Sequence, residues 1–355
     1  MMIIVITKEM IISQERWDKT FKNFEVYDCT YGFEHGRVGL LLIEKIDENH
    51  IEYGNDYYMP KHKLVSIVID NPPENRVFGM SFGNLSYPTI SAGWSPSQTE
   101  LVIVDIDCEV ISYKTREYKG RENNLDIPIS KSSDMRTAII KVVRVGTSVY
   151  AIGGGLRIYK RINHQVWLDA SQTIPVPDGF LERKAESMSR SLFQDLSGFS
   201  ESDMYAVGGT GTVYHFNGEQ WKKLPFPTNK LLYTVCCAGD GFVYIADFDG
   251  AIWKGRNEQW TQITHGGMTM PFLDMGWFDG RLWCASDYGI WVLEDDKLVL
   301  AMHAKHKPVP PEVAVLSKRI DVSPDGTVMM VCGSRGAAIY DGNAWNVLFD
   351  SMAFE

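Results

Sequence analysis

The stretch MYAVGGTGTVYHFNGEQW, residues 204–221, decides the fold, because the chain repeats its plan four more times. An apolar run is followed by a glycine turn, an aromatic-bearing run, a polar turn and a final run that usually starts at tryptophan. Short apolar runs punctuated by turns predict β-strands. The related segments are VYAIGGGLRIYKRINHQVW (149–167), VYIADFDGAIWKGRNEQW (243–260), LWCASDYGIWVLEDDKLV (282–299) and VMMVCGSRGAAIYDGNAW (328–345).

Each segment is preceded by another apolar run that ends in a turn, such as residues 231–238. This run supplies a fourth, innermost strand. A repeat of about 40 residues with four strands is typical of a β-propeller blade. Gly211, Gly250, Gly289 and Gly336 fall at the same turn position, where a positive φ would exclude most other residues.

The sequence therefore predicts an all-β chain that forms a single seven-bladed β-propeller domain over residues 1–355. Six blades are an alternative, because the N-terminal third keeps the spacing but loses the glycines and tryptophans. Residues 2–6 form a short apolar strand suited to pair with the last blade and close the ring. The predicted blades span residues 21–70, 76–130, 136–175, 191–230, 231–271, 272–311 and 312–355.

The formal net charge of -10 disfavours a nucleic-acid partner, since binding phosphates requires a concentrated basic surface. An acidic surface favours a cationic partner instead. The six cysteines show no CxxC spacing and are interpreted as reduced core thiols. The N-terminus lacks the basic region of a signal peptide, and no apolar stretch is long enough for a membrane helix. We therefore predict a cytoplasmic location and no membrane partner.

Two of the repeats resemble those of known bacterial propellers. LWCASDYGIWVLEDD (282–296) is similar to repeats of two-component sensor propellers, and VSPDGTVMMVCGSRGAAIYD (322–341) resembles a tryptophan-aspartate repeat turn. The Gly-His and Trp-Asp signatures of true tryptophan-aspartate repeats are absent, as is the Ser-x-Asp-x-Gly-x-Thr-Trp box of sialidases. The resemblance covers about 210 residues and implies architecture only, so no catalytic residue is carried over.

Fold-level analogy places a propeller's site at the channel rim, on the face formed by the turns between strands two and three and by the connections between blades. The connections at 172–190, 265–271 and 303–311 are long, and such insertions are where repeat proteins contact partners. A tolerated surface insertion is the alternative for the first. The candidate partner-binding residues on this face are Phe180, Arg183, Phe248, Asp249, His265, Asp287, Tyr288, His306 and Arg335.

The acidic pairs Asp105/Asp107 and Asp247/Asp249 could supply calcium oxygens or an acid and a base. Each pair would need a distant ligand that the sequence does not identify, so we interpret them as turn or strand-edge acids. The HAKH stretch that contains His306 lacks accompanying ligands at metal-binding spacing. No metal, cofactor or catalytic residue is predicted.

Two classes of function follow. The first is a non-catalytic cytosolic protein-binding propeller. Within this class we favour a bacterial immunity protein that neutralises a secreted, cationic toxin, because the acidic surface of the propeller would attract a basic partner. The alternative is an enzyme, a lyase or hydrolase that acts on a sugar or lactone at the channel mouth. In that case Asp249, Asp287 and Arg335 would serve as acid, base and anion clamp.

Overall fold

Seven four-stranded antiparallel sheets form the part of the chain that the computed structural model describes, namely residues 11–46, 60–93, 98–125, 137–175, 191–268 and 270–354. The four strands of each sheet follow one another in sequence, and each pairs with the next. The first strands of neighbouring sheets contact one another around a closed ring. The chain is therefore an all-β, seven-bladed propeller, as predicted, and the six-bladed alternative is wrong.

The strands are given by blade, from the innermost outward. Blades one to three comprise β1 Phe24–Tyr31, β2 Arg37–Glu44, β3 Lys61–Val68 and β4 Val77–Asn84; β5 Thr89–Gly93, β6 Glu100–Val104, β7 Val110–Lys114 and β8 Tyr118–Arg121; β9 Ile139–Val145, β10 Ser148–Gly153, β11 Arg157–Asn163 and β12 Val166–Asp169. Blades four and five comprise β13 Asp195–Ser200, β14 Asp203–Gly208, β15 Thr212–Phe216 and β16 Trp221–Leu224; β17 Leu232–Cys237, β18 Val243–Asp247, β19 Ile252–Arg256 and β20 Gln259–Gln262.

Blades six and seven comprise β21 Asp274–Phe278, β22 Arg281–Ser286, β23 Gly289–Glu294 and β24 Lys297–Leu300; β25 Arg319–Val322, β26 Met329–Gly333, β27 Gly336–Tyr340 and β28 Trp345–Asp350. Helices are short in the described residues: α1 Gln14–Thr20, α2 Pro311–Ala314, and 3-10 turns at Pro73–Asn75, Ala301–His303 and Ser351–Ala353. None of these helices has the length and apolar character needed to cross a membrane.

The first blade is longer than the sequence predicts. β4 pairs with β3 over seven residues, so it belongs to the first sheet and not to the second. The proline-containing turn Pro73–Asn75 separates β3 from β4, and in the sequence such a turn resembles a connection between two blades. The predicted boundary between residues 70 and 76 is therefore wrong, and the second sheet begins at β5.

Blades one and seven pack directly against each other where the ring closes. Leu40 and Val65 of blade one share a buried cluster with Met330 and Phe349 of blade seven. α1 covers this junction, and its Trp17 indole stacks on the Phe354 ring near the C-terminus, with centroids 4.7 Å apart. The predicted closing strand at residues 2–6 lies outside the described residues.

Tryptophans at the start of the outer strands pack between blades. The Trp221 indole N–H donates to the carbonyl oxygen of Ala170, just after blade three, at 3.0 Å. The Trp345 ring lies against Trp283 of blade six, with centroids 6.1 Å apart. Because blades are wedge-shaped and spread apart toward the rim, large aromatic rings fill the widening gap.

The glycines of the turns between second and third strands are required for two different reasons. Gly211, Gly250 and Gly289 have φ of +63°, +78° and +149°, as predicted. Gly336 has no positive φ, and the prediction is wrong there. A Cβ at Gly336 would instead lie 2.1 Å from a backbone carbonyl oxygen of β28. Close approach alone therefore requires glycine at position 336, whereas Gly211 and Gly250 combine a positive φ with a close neighbour, Thr228 O at 2.0 Å and Met268 Sδ at 2.8 Å.

Candidate partner-binding face

The turns between the second and third strands lie on one face of the propeller together with the connections between blades, and we call it the upper face. The remaining turns lie on the lower face. Five predicted residues lie in upper-face turns: Phe248 and Asp249 between β18 and β19, Asp287 and Tyr288 between β22 and β23, and Arg335 between β26 and β27. The structure therefore gathers them on blades five to seven.

His265 is also exposed on the upper face, in the connection between β20 and β21. This connection is fastened to the neighbouring turn, because the backbone N–H groups of Gly267 and Met268 donate to the carbonyl oxygen of Asp249 at 3.0 and 2.9 Å. Its position is thus fixed relative to the turn of blade five. Two further predicted residues lie outside the described part of the chain: Phe180 and Arg183.

His306 lies on the lower face, and its predicted position is wrong. The chain turns back after β24 through the 3-10 turn Ala301–His303. As a result, the carbonyl oxygen of His306 accepts from Arg281 Nη1 at 2.7 Å. The adjacent Lys307 Nζ lies 2.7 Å from Asp279 Oδ2, in the lower-face turn between β21 and β22. His306 is therefore separated from the other predicted residues by the height of the blade.

We call four of the exposed apolar side chains on the upper face of blades five and six the upper patch: Leu231, Phe248, Met270 and Tyr288. They are between 38% and 68% exposed. The backbone N–H of Phe248 donates to the Leu231 carbonyl oxygen at 2.9 Å, and the Phe248 ring packs on Tyr233 with centroids 6.3 Å apart. Exposed aromatic and methionine side chains gathered on one face are typical of protein-binding surfaces.

The charged residues beside the upper patch are engaged in local ion pairs. Lys230 Nζ lies 2.7 Å from Asp249 Oδ2, and Arg335 binds both carboxylate oxygens of Asp350 at 3.2 and 2.7 Å. Within the described residues, no hydrogen bond or ion pair joins Asp249, Asp287 and Arg335 to one another. The three groups of the enzyme hypothesis are therefore not linked into one site by direct contacts.

The first acid of each acidic pair shapes its own turn. Asp247 Oδ1 accepts from the backbone N–H groups of Asp249 and Ala251 at 3.0 and 2.9 Å, and Asp105 makes the equivalent pair of bonds in the turn between β6 and β7. Both side chains are buried, and burial raises the pKa of both. In the described ranges, no group of three or more histidine, cysteine or acidic side chains is arranged to hold a metal ion.

Polar side chains line the channel, one from each inner strand, and the acidic ones satisfy part of the free edges of these strands. The carboxylates of Asp28, Asp195 and Asp274 each accept a backbone N–H from the next blade, at 3.0, 3.1 and 3.3 Å. Without an acceptor, a buried strand edge would leave N–H groups unpaired. We call the complete set the channel belt: Asp28, Thr89, Lys141, Asp195, Thr234, Asp274 and Arg319.

Charges within the channel belt neutralise one another across the channel. Lys141 Nζ of blade three lies 3.0 Å from Asp195 Oδ1 and 2.5 Å from Asp274 Oδ1. Burial would lower the pKa of Lys141, but these carboxylates raise it, so the ammonium stays charged. Burial raises the pKa of Asp28, while the Arg319 guanidinium acts in the opposite direction. The belt thus connects blades that are not neighbours in the ring.

Below the channel belt, a cavity of about 410 Å³ extends to the lower-face turns and is lined by all seven inner strands. Arg144 of blade three crosses it. Its Nη1 donates to the Tyr31 carbonyl oxygen at 2.7 Å, and its Nη2 lies 2.9 Å from Asp321 Oδ1. The guanidinium therefore joins blade three to blades one and seven. The polar groups of the channel are engaged in holding blades together, whereas the side chains of the upper patch are exposed.

The channel belt and half of the upper patch are not predicted from the sequence. Asp195 and Asp274 each begin an inner strand, two repeats apart. Aligning the acidic residues of the predicted blades would have revealed this recurrence. Leu231 and Met270 lie in connections between blades, where the repeat pattern is lost. Their exposure depends on the packing of the neighbouring turn, which the sequence pattern does not report.

These features define the class of the protein, a seven-bladed propeller with an exposed apolar patch on one face. No family model matches the chain. The fold resembles the crystal structure of the WD40 beta propeller domain of Doa1, with a TM-score of 0.51 and 11% sequence identity over 88% of this chain and 91% of that chain. At this identity the likeness concerns the fold alone.

A more specific similarity comes from the sequence. The chain is 30% identical over 144 residues to Immune protein Tsi7 of Pseudomonas aeruginosa. The matched region is 41% of this chain and 45% of that protein, so the similarity spans less than half the length of the relative. The fold is common to many functions, and this partial match to a bacterial immune protein is the finding that bears on function.

Proposed function

We propose that this chain is a bacterial immunity protein that acts in the cytoplasm by binding and neutralising a toxin protein. The similarity to Immune protein Tsi7 over 144 residues carries the proposal. The fold is compatible with it, because a rigid ring of blades can present a broad surface to a macromolecular partner without moving its backbone.

The upper patch is the proposed contact surface. Phe248 and Tyr288 offer large apolar area with few rotatable bonds, which is the character of residues that dominate binding energy. The charged groups of Lys230 and Asp249 lie beside them and would form a polar rim. A partner that covers the patch would bury the exposed aromatic rings and leave the paired charges at the edge.

The net charge of -10 supports a cationic toxin as the partner. Opposite net charges accelerate association by long-range attraction, and salt screens this attraction. We expect the association rate constant to fall as ionic strength rises from about 0.01 M to 0.15 M, while the dissociation rate changes little. Stopped-flow or surface-plasmon measurements of the two rates check this. A partner whose association rate is independent of salt would contradict the cationic assignment.

The direct test is affinity capture from the native host with three forms of the chain. We expect the wild-type chain to retain a toxin protein and to restore growth of cells that express that toxin. Phe248→Ala combined with Tyr288→Ala should weaken binding by 2 kcal/mol or more, roughly 30-fold, because both rings lose their contact.

Phe242→Ala is the matched control. Phe242 belongs to the same blade as Phe248 and has the same exposed fraction of 43%, but it lies in the lower-face turn between β17 and β18. Its replacement should leave capture and growth protection unchanged. Retention of a metabolite without any protein partner, or equal losses for the upper-face and lower-face variants, would contradict the proposal.

A further inference from the structure

The outer strand of blade one differs from the other outer strands in length and composition. β4 contains eight residues, whereas five of the other outer strands contain four and β28 contains six. Its sequence, VFGMSFGN, has no charged residue. Folded proteins normally protect exposed sheet edges with short strands, charges or prolines. β4 lacks these protections.

The outer edge of β4 is available for pairing. β4 hydrogen-bonds to β3 on one side, and within the described residues no backbone hydrogen bond reaches its other side. Gly79 and Gly83 are exposed along this strand and carry no side chain that would hold another backbone away. Glycine within a strand often marks a place where a second backbone approaches closely.

A basic groove of about 490 Å³ runs along the same strand. Its lining includes Arg16 and Lys19 of α1, Lys63 of β3, Phe78 of β4 and Lys119 of β8. No acidic side chain lines it, although the chain as a whole carries ten more acidic than basic residues. The four positive charges are therefore concentrated beside the open edge.

Among the described residues, none of these four cations has a carboxylate within ion-pair distance, and Glu44 acts on Lys63 only from farther away. Arg16 Nη2 donates to the backbone carbonyl oxygen of Glu74 at 3.1 Å, and Lys63 Nζ donates to that of Thr20 at 3.2 Å. In the described part of the chain, no acidic side chain lies within 4 Å of the charged nitrogens of Arg16, Lys19, Lys63 or Lys119. A ligand with several negative charges would therefore meet them unpaired.

We propose that β4 binds an extended acidic polypeptide segment, which adds to the first sheet as a fifth strand. Backbone hydrogen bonds to the free edge would supply affinity, and carboxylates on alternate residues would meet the flanking cations. The length of β4 matches a segment of about eight residues. This site lies on the rim of blade one and is independent of the upper patch on blades five and six.

The test uses a fluorescein-labelled octapeptide of alternating valine and glutamate, with anisotropy as the binding readout and amide hydrogen exchange as the structural one. We expect saturable binding and slower exchange of the amides of residues 77–84. A peptide N-methylated at every second amide should bind at least tenfold more weakly, because it cannot pair along the edge.

Charge reversal supplies the matched pair of variants. Lys19→Glu with Lys119→Glu should weaken binding at least tenfold. Lys22→Glu with Lys297→Glu changes the net charge equally outside the groove and should have little effect. Circular dichroism spectra would confirm that both variants fold. Phe248→Ala should also leave peptide binding unchanged, so failure of this site and failure of the immunity function are distinguishable.

Three results would overturn the proposal. They are no binding at 1 mM peptide, binding that leaves the exchange of residues 77–84 unchanged, and tighter binding of an octathymidylate than of the peptide. The last would assign the basic groove to nucleic acid. A fourth result would also overturn it: peptide binding only after residues 1–10 are deleted, which would mean that those residues pair with β4 themselves.

Discussion

At the residue scale, His62 carries an energetic cost within the first blade. Its side chain is buried in β3, and neither ring nitrogen makes a hydrogen bond of normal geometry, although the Pro60 carbonyl slightly favours the charged form. Burial lowers the pKa of His62 from 6.5 to about 4. The folded protein therefore holds a neutral imidazole at a pH where the unfolded chain would bind a proton.

Stability should consequently fall as the pH is lowered from 6.5 to 4, since only the unfolded chain takes up the His62 proton in that range. The linked loss is roughly 3 kcal/mol. We expect His62→Met to remove this part of the pH dependence, as measured by urea unfolding at pH 4.5 and 7. His265→Gln, at an exposed position, serves as the control. The same slope for His62→Met and the wild type would contradict this account.

Arg161, unlike His62, is a residue whose removal should be costly. Its guanidinium is fully buried between blades two and three, with Nη2 at 2.5 Å from Glu100 Oε1 and 2.6 Å from Glu122 Oε1. We expect Arg161→Met to reduce the free energy of unfolding by about 3–5 kcal/mol, because two buried carboxylates lose their counter-ion.

The rescue variant separates charge from packing. Adding Glu100→Gln and Glu122→Gln to Arg161→Met removes the unpaired charges and should recover most of the loss in chemical denaturation. If Arg161→Met alone changed stability by less than about 1 kcal/mol, the buried network would not have the assigned role.

At the element scale, the turn between β18 and β19 positions the upper patch. Gly250 has a φ of +78°, and a Cβ there would lie 2.8 Å from Met268 Sδ in the adjacent connection. Gly241 has a similar φ of +84° but open space around it. The pair therefore separates the cost of backbone strain from the cost of displacing the connection.

We expect Gly241→Ala to cost about 1 kcal/mol of unfolding free energy, from the positive φ alone. Gly250→Ala should cost about 1 kcal/mol more and should also weaken partner binding, since Met268 must move and the connection with it. Thermal unfolding and titration of the partner measure the two effects. Equal stability losses and unchanged binding for both variants would show that the connection does not depend on Gly250.

The elements differ in how far the sequence predicts them. The blades that contain the glycine and tryptophan positions, such as β17 to β20, are periodic enough to be found directly. β4 is missed because a proline turn precedes it and its glycines weaken the strand pattern. The reversal after β24 is missed because it depends on a tertiary hydrogen bond, from the Val309 N–H to the Ala301 carbonyl oxygen at 3.0 Å.

At the scale of the whole molecule, the sequence predicts the ring because the repeats can bury their faces only against one another. The candidate site is less predictable. Turn residues such as Phe248 and Tyr288 follow from strand register, since the repeat fixes which turns share a face. The channel belt does not follow, because its residues lie in seven different strands and meet only after the ring has closed.

The ring also explains why binding is assigned to a surface and not to the channel. Lys141 and Arg144 span the channel and satisfy groups of several blades, so their chemistry is used within the fold. The upper patch, by contrast, exposes aromatic rings that no described residue covers. Apolar side chains gathered on one face are typical of a contact surface, which is why we propose the upper patch as the place where a partner binds.

The most direct test of this central claim is amide hydrogen exchange on the free chain and on its complex with the toxin captured from the host. The account predicts slower exchange in the complex at residues 248–251, 263–268 and 287–289, on the upper face of blades five and six. Slower exchange confined to the lower-face turns at residues 239–242 and 279–280 would contradict it.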